Sequence, residues 1–174
     1  NNDDAASTVS ELAAAGVSVS ALVDPRPVMS PVVESLAKKT GIRVISGGSV
    51  ERALGSKSVS GAEIRLQDGS LLTLPCDLIA MSGGWNPSVH LTTHLNGRPV
   101  WNSSIAAFVP GAVPPGMAVA GSASGALSLA DAITMGDSFG QDAAIAAGFK
   151  AKKSALPSVE PESTAIQPLW RVVN

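Results

Sequence analysis

Residues 76–87 read CDLIAMSGGWNP. The apolar run Leu78-Ile79-Ala80-Met81 follows Asp77 and stops at Ser82-Gly83-Gly84, and Trp85-Asn86-Pro87 then turns the chain. A short apolar run closed by glycines predicts a buried parallel strand ending in a tight loop. In open α/β sheets, ligands sit beyond the ends of such strands. The stretch before it has the pattern of one half of an α/β unit. The stretch after it reads as the chain crossing into a different unit.

Upstream, Ala5, Ala6, Val9, Leu12 and Ala13 recur at helical spacing after Asp3 and Asp4, and Gly16 supplies a stop. Val17 to Val23 alternates and ends at Asp24-Pro25, which predicts a strand. Pro31 opens a second helix carrying Val32, Val33, Leu36 and Ala37, closed by Gly41. Arg43 to Ile45 is a second short strand before Gly47-Gly48. The order helix, strand, helix, strand is that of a βαβαβ unit without its first strand. Over 57–75 the character changes. Val59, Ala62, Ile64 and Leu66 precede the turn Asp68-Gly69, and Leu71 to Leu74 returns, so an antiparallel hairpin is expected.

Downstream, Asn86 to Leu95 has the makings of a helical turn. Val100-Trp101 and Ile105 to Val109 follow, and Met117 to Ala120 predicts another short strand before Gly121-Ser122-Ala123-Ser124-Gly125. Ala126 to Phe149 is helical in composition, with Gly136 as an expected interruption. Residues 151–174, rich in Lys, Ser, Pro and Glu, read as a linker. The expected domains are therefore 1–84, a dinucleotide-fold unit with its hairpin insertion at 57–75; 85–150, a crossover and return segment; and 151–174.

The bulk composition narrows the classes. The 174 residues are 45% hydrophobic but only 3% aromatic, so the core is built of small aliphatic side chains suited to helix-on-sheet packing. A net charge of −2 offers no basic stripe for nucleic acid. The single Cys76 excludes an internal disulfide framework and a cysteine metal cluster. No apolar run approaches the roughly 20 residues of a membrane span. The start Asn-Asn-Asp-Asp, without Met, reads as an internal fragment, with a cytoplasmic location as the default expectation.

Four constellations carry chemical content. Asp24, at a strand end, is placed either to bind a nucleotide ribose or simply to close a turn. The usual glycine-rich phosphate turn is missing, and Asp3 and Asp4 stand where a pyrophosphate would meet helix N–H groups. Ser82-Gly83-Gly84 allows close approach of a ligand or forms a tight turn alone. Gly121 to Gly125 presents N–H groups to an anion or lets helix and strand pack closely. His90 and His94 have the i, i+4 spacing of a metal pair, but no acid or thiol completes a set, which favours a solvated face. Asp77 beside Cys76 argues against a reactive thiolate.

The blocks CDLIAMSGGWNPSVHL, GRPVWNSSIAAFVPG and VAGSASGALSLADAITMG resemble the alpha subunit of bacterial heterotetrameric sarcosine oxidase, as do NNDDA, VDPRP and PLWRV. Subunits of opine oxidase, amine dehydrogenase and cyanide synthase complexes share the plan but match less closely. The resemblance implies a partial Rossmann-like α/β fold, the second domain of a thioredoxin-reductase-like two-domain core, plus a return segment of the first domain. It implies a bound NAD outside turnover, and FAD and FMN on a partner subunit or interface. Tetrahydrofolate would sit on a further C-terminal domain, and the beta, gamma and delta subunits would be partners. Sarcosine would be oxidised to glycine at the beta-subunit flavin, so the chain alone is expected to be inactive. In relatives a Gly-Asp pair at the position of Gly121-Ser122 touches flavin; serine in place of that acid speaks against flavin here. The expected cofactor contacts are Asp24, Gly83, Gly84, Trp85, Gly121, Ser122 and Leu127, with no catalytic or metal residue. A degenerate domain that binds nothing and serves as an interface is the alternative. An active NAD(P)H reductase, which would need a redox CxxC or a flavin contact, ranks last.

Overall fold

The structure, a computed structural model, describes residues 1–94, 96–151, 155–164 and 166–168. Leu95, Trp170, most of PLWRV and part of the expected linker lie outside the described residues. The chain divides into two units, Asn1–Gly83 together with the segment from Gln167, and Gly84–Ile166. It is a mixed α/β protein with three small sheets.

In the first unit, helix α1 (Asp4–Ala14) leads to strand β1 (Leu22–Asp24), helix α2 (Pro31–Thr40) and strand β2 (Val44–Ser46). Ser30 caps α2 by accepting the Val33 N–H at 3.3 Å, and Pro31 fills the first turn, where no N–H is needed. Gly41, at φ +70°, ends the helix in the left-handed conformation that an L side chain resists. β1 and β2 pair in parallel, Leu22 with Val44 and Asp24 with Ser46. Ala6, Leu22, Val33 and Leu36 form a buried cluster flanked by Ala5, Val9 and Val44, so both helices cover one face of the pair.

Alternation along the strands sends Val23 and Ile45 to the other face. There they gather with Ile64 around Gly48, where an added Cβ would lie 2.9 Å from Ile45 Cγ2. Ile64 belongs to an antiparallel sheet of strands β3 (Ser49–Gly55), β4 (Val59–Arg65) and β5 (Leu71–Leu74), paired in that order. Burial of Ile64 or Val33 stabilises by roughly 1.5–3 kcal/mol each. The ion pairs Arg52–Glu63 and Arg65–Glu51 cross β3 and β4 at 3.0 and 2.9 Å, but on an exposed face such pairs contribute about 0–1 kcal/mol.

The second unit holds a short helix α3 (His90–Thr93), an antiparallel ribbon of β6 (Val100–Asn102) and β7 (Ala107–Val109), a 3-10 turn at Gly121–Ser124 and helix α4 (Leu129–Ala146). Trp101 and Phe108 face each other across the ribbon, edge to face, with ring centroids 5.3 Å apart. Ile105 and Ala107 are its buried apolar residues.

Several expectations are corrected. Cys76 to Met81 forms no strand; Leu78 is 73% and Met81 92% exposed, because no partner edge accepts the segment. Met117 to Ala120 is likewise unpaired. The first strand is three residues, Leu22–Asp24, not the run from Val17, since pairing with β2 defines its length. Gly136 does not interrupt α4: one glycine costs about 1 kcal/mol against alanine, which an alanine-rich helix tolerates. The hairpin turns at Asp68-Gly69 as expected, but β3, which joins it, carries no clear alternating pattern and was not foreseen.

Candidate functional site

The densest polar grouping among the described residues lies at the end of β1. Asp24 is the last residue of that strand and is 3% exposed. Pro25 turns the chain, and Arg26 folds back over the strand end. Its Nε lies 3.0 and 3.1 Å from the two carboxylate oxygens of Asp24, and its Nη2 lies 2.7 Å from Oδ2. The Arg26 backbone N–H also donates to Asp24 Oδ1 at 3.0 Å. This is an Asx-type turn reinforced by a two-pronged guanidinium contact.

The network extends to the start of α1. Arg26 Nη2 pairs with Asp3 Oδ1 at 2.8 Å and donates to the Asn2 carbonyl at 3.4 Å. Ser30 Oγ donates to Asp3 Oδ1 at 2.7 Å, and Ser82 Oγ donates to Asn2 Oδ1 at 2.8 Å. From the loop after β2, Gly47 N–H donates to the Arg26 carbonyl and Gly48 N–H to that of Asp24. Two buried oxygens close by in sequence, Asn1 Oδ1 and Ser46 Oγ, have no hydrogen-bond partner. Burial acts to raise the Asp24 pKa, but the hydrogen bonds and charge of Arg26 outweigh it and hold the carboxyl below its ordinary value. Hydrogen bonding to Asp24 raises the Arg26 pKa in turn. The group is thus an ionised carboxylate pair clasped by one guanidinium.

This arrangement bears on a dinucleotide. Both Asp24 oxygens are engaged by Arg26, which leaves the carboxylate poorly placed to receive ribose hydroxyls. Asp3, beside the N-terminus of α1, adds negative charge where a pyrophosphate would need the opposite. The residues at this strand end therefore do not fit a nucleotide as they stand. Arg26, Ser30, Asn2 and Ser82 were not among the expected site residues. The available signal was Asp-Pro-Arg: a cation two positions after a strand-terminal acid, joined by a turn.

Gly83 lies in the same unit; an added Cβ there meets nothing within 4 Å. Gly84, Trp85, Gly121, Ser122 and Leu127 belong to the other unit. Gly84 has φ +92°, and an added Cβ would collide with Ile166 Cδ1. Trp85 and Ser122 are exposed and Leu127 half-buried. Gly125, at φ +93°, is hemmed in by Val109 Cγ1 at 2.6 Å from its would-be Cβ, so packing explains this glycine. At α4, Ser128 Oγ accepts the Asp131 N–H at 3.1 Å, and Glu162 accepts the Leu129 N–H at 2.9 Å. Its first turn is thus capped by the chain's own side chains. His90 and His94 are both exposed, and among the described residues no three His, Cys, Asp or Glu side chains group as a metal site. No described helix is long and apolar enough to cross a membrane.

The features so far define an α/β segment whose one elaborate polar site is internally neutralised. No family model matches the chain. Individual proteins do: it is 32% identical over 178 residues to the sarcosine oxidase alpha subunit of Corynebacterium sp. strain P-1, across 98% of this chain and 18% of that protein. The alpha subunits of Rhizobium meliloti strain 1021 and Corynebacterium sp. strain U-96 are 32% and 33% identical, again over 98% of this chain. The chain thus belongs with the sarcosine oxidase alpha subunits, as its SGGWNP and AGSASG blocks indicated, and spans 17–18% of the length of these relatives.

Proposed function

We propose that this chain is a scaffold segment of the alpha subunit in a sarcosine oxidase-type complex. In that reading sarcosine is oxidised to glycine at a flavin on a beta subunit, and gamma and delta subunits complete a cytoplasmic heterotetramer. FAD, FMN and tetrahydrofolate belong to partners or to other domains. The chain itself supplies structure and no catalytic group. The reading is supported by the similarity along 98% of the chain to segments of sarcosine oxidase alpha subunits. An assembled complex containing this sequence is expected to consume oxygen when given sarcosine. Absence of sarcosine oxidation would overturn the proposal.

The place of NAD is narrower. A non-catalytic NAD site shared with an adjoining domain is compatible with the family, but the Asp24–Arg26–Asp3 clasp favours a purely structural strand end here. Any nucleotide of the complex is then held by other groups. Asp24→Asn in the complex is expected to lower thermal stability and to leave unchanged the NAD released on denaturation. Loss of NAD at unchanged stability would instead make Asp24 a ligand residue.

A further inference from the structure

Three observations converge on the edge of β1 that does not face β2. Among the described residues, β1 pairs only with β2. Next, Cys76 to Met81 is extended, apolar and unpaired, yet it is tied to the same unit at both ends. Ser20 Oγ, two residues before β1, donates to the Pro75 carbonyl at 3.3 Å. Ser82 Oγ donates to Asn2 Oδ1, and the Asn2 carbonyl accepts from Arg26, two residues after β1. Residues 75–82 therefore run alongside residues 20–26 in the same direction. At about 3.3 Å per residue the two stretches cover about the same 20 Å. Finally, α1 is incompletely covered: of its apolar stripe only Ala6 is buried, while Ala5, Val9, Leu12 and Ala13 are half-exposed.

We propose that β1 and Cys76–Met81 are the two walls of an acceptor slot for one further parallel strand, an apolar segment of the same polypeptide that feeds directly into α1. The inference rests on the alpha-subunit reading, in which relatives are more than five times the length of this chain. The identity of the occupant follows from geometry. A strand that enters a helix and continues into a neighbouring parallel strand does so almost always by a right-handed crossover. β1–α2–β2 is one such crossover, with α2 over its strand pair. α1 lies on the same face and leads into β1, so its own entering strand belongs beside β1 on the free edge. The strand would pair with β1 on one side and with Cys76–Met81 on the other. It would give Leu78 and Met81, now exposed, a sheet to pack in, and it would fill the space under Val9 and Leu12. With sheet neighbours on both edges and layers on both faces, the occupant needs apolar side chains on both sides, with β-branched residues preferred.

Hydrogen exchange read by mass spectrometry tests this on two proteins, the 174-residue chain and the alpha-subunit polypeptide that includes residues N-terminal to Asn1. The amides of residues 77–81 should exchange freely in the first and at least about a hundredfold more slowly in the second, as for a paired strand. Ala80→Pro in the longer polypeptide should abolish that protection while the amides of β3 to β5 stay protected, which separates lost pairing from misfolding. Equal, fast exchange in both proteins would overturn the proposal. So would protection in the 174-residue chain that grows with its concentration, which would make a second copy the occupant. The outcome is separable from the functional reading, since sarcosine-dependent oxygen uptake is measured independently of protection at 77–81.

Discussion

Leu22–Asp24 and Cys76–Met81 lie in one unit and run in the same direction, and they end in opposite states. The first is short, carries an acid, and becomes a strand with a buried carboxylate at its end. The second is the more hydrophobic, yet it remains unpaired with Met81 almost fully in solvent. The difference lies in neighbours. Leu22 has β2 alongside and α1 and α2 above it. Cys76–Met81 has anchors at its ends and no ladder along its length. Hydrophobicity makes a segment worth burying, while a strand also needs an edge to receive its N–H and C=O groups.

The sharpest way to break this contrast is at Arg26. Arg26→Ala leaves Asp24 and Asp3 as carboxylates without their shared cation, and removing one partner of such a buried group costs about 3–5 kcal/mol. Urea denaturation should show the first unit strongly weakened; a change below about 1 kcal/mol would mean that the clasp behaves like a surface pair.

Packing should separate the two regions nearly as well. Ile64→Ala, at 1% exposure, is expected to cost about 2–5 kcal/mol. Met81→Ala should stay within about 0.5 kcal/mol in the 174-residue chain. Equal effects in equilibrium unfolding would show that Cys76–Met81 is buried after all.

Gly83 and Gly84 sharpen the picture at the end of the segment. Gly84→Val must adopt a left-handed backbone, at about 1–2 kcal/mol, and also collides with Ile166. Gly83→Val meets open space and should be tolerated. Thermal melts of the two variants provide the comparison. A larger loss at Gly83 would point to a contact that this chain alone does not contain.

The smallest expected effect is in pH. The Asp24 carboxyl titrates below its unfolded value of about 4. Its contribution is therefore complete above that pH and is lost as pH falls through the lower folded value. Denaturation midpoints from pH 6 down to pH 2 should show this acid loss, and Arg26→Ala should flatten it.

Local signals were legible where they are self-contained. Pro31 and Gly41 bound α2, Asp68-Gly69 turns the hairpin, and Asp24 ends its strand as expected. The site around Asp24 was only half legible. The acid was visible, but its commitment to Arg26, and the joining of Asn2 and Ser82 across 80 residues, are products of folding. β3 escaped notice because a sheet on one layer's surface mixes exposed and half-buried residues without strict alternation.

By itself, the sequence determined the helices and turns, the acid at the strand end and the kinship with sarcosine oxidase alpha subunits, because helix caps, turn glycines and family blocks depend on residues close together in the chain. Only the tertiary structure decided that Asp24 is clasped rather than offered to a ligand, and that Leu78-Ile79-Ala80-Met81 stands unpaired. Both outcomes depend on which groups distant parts of the chain bring within hydrogen-bonding reach, and no local pattern encodes that.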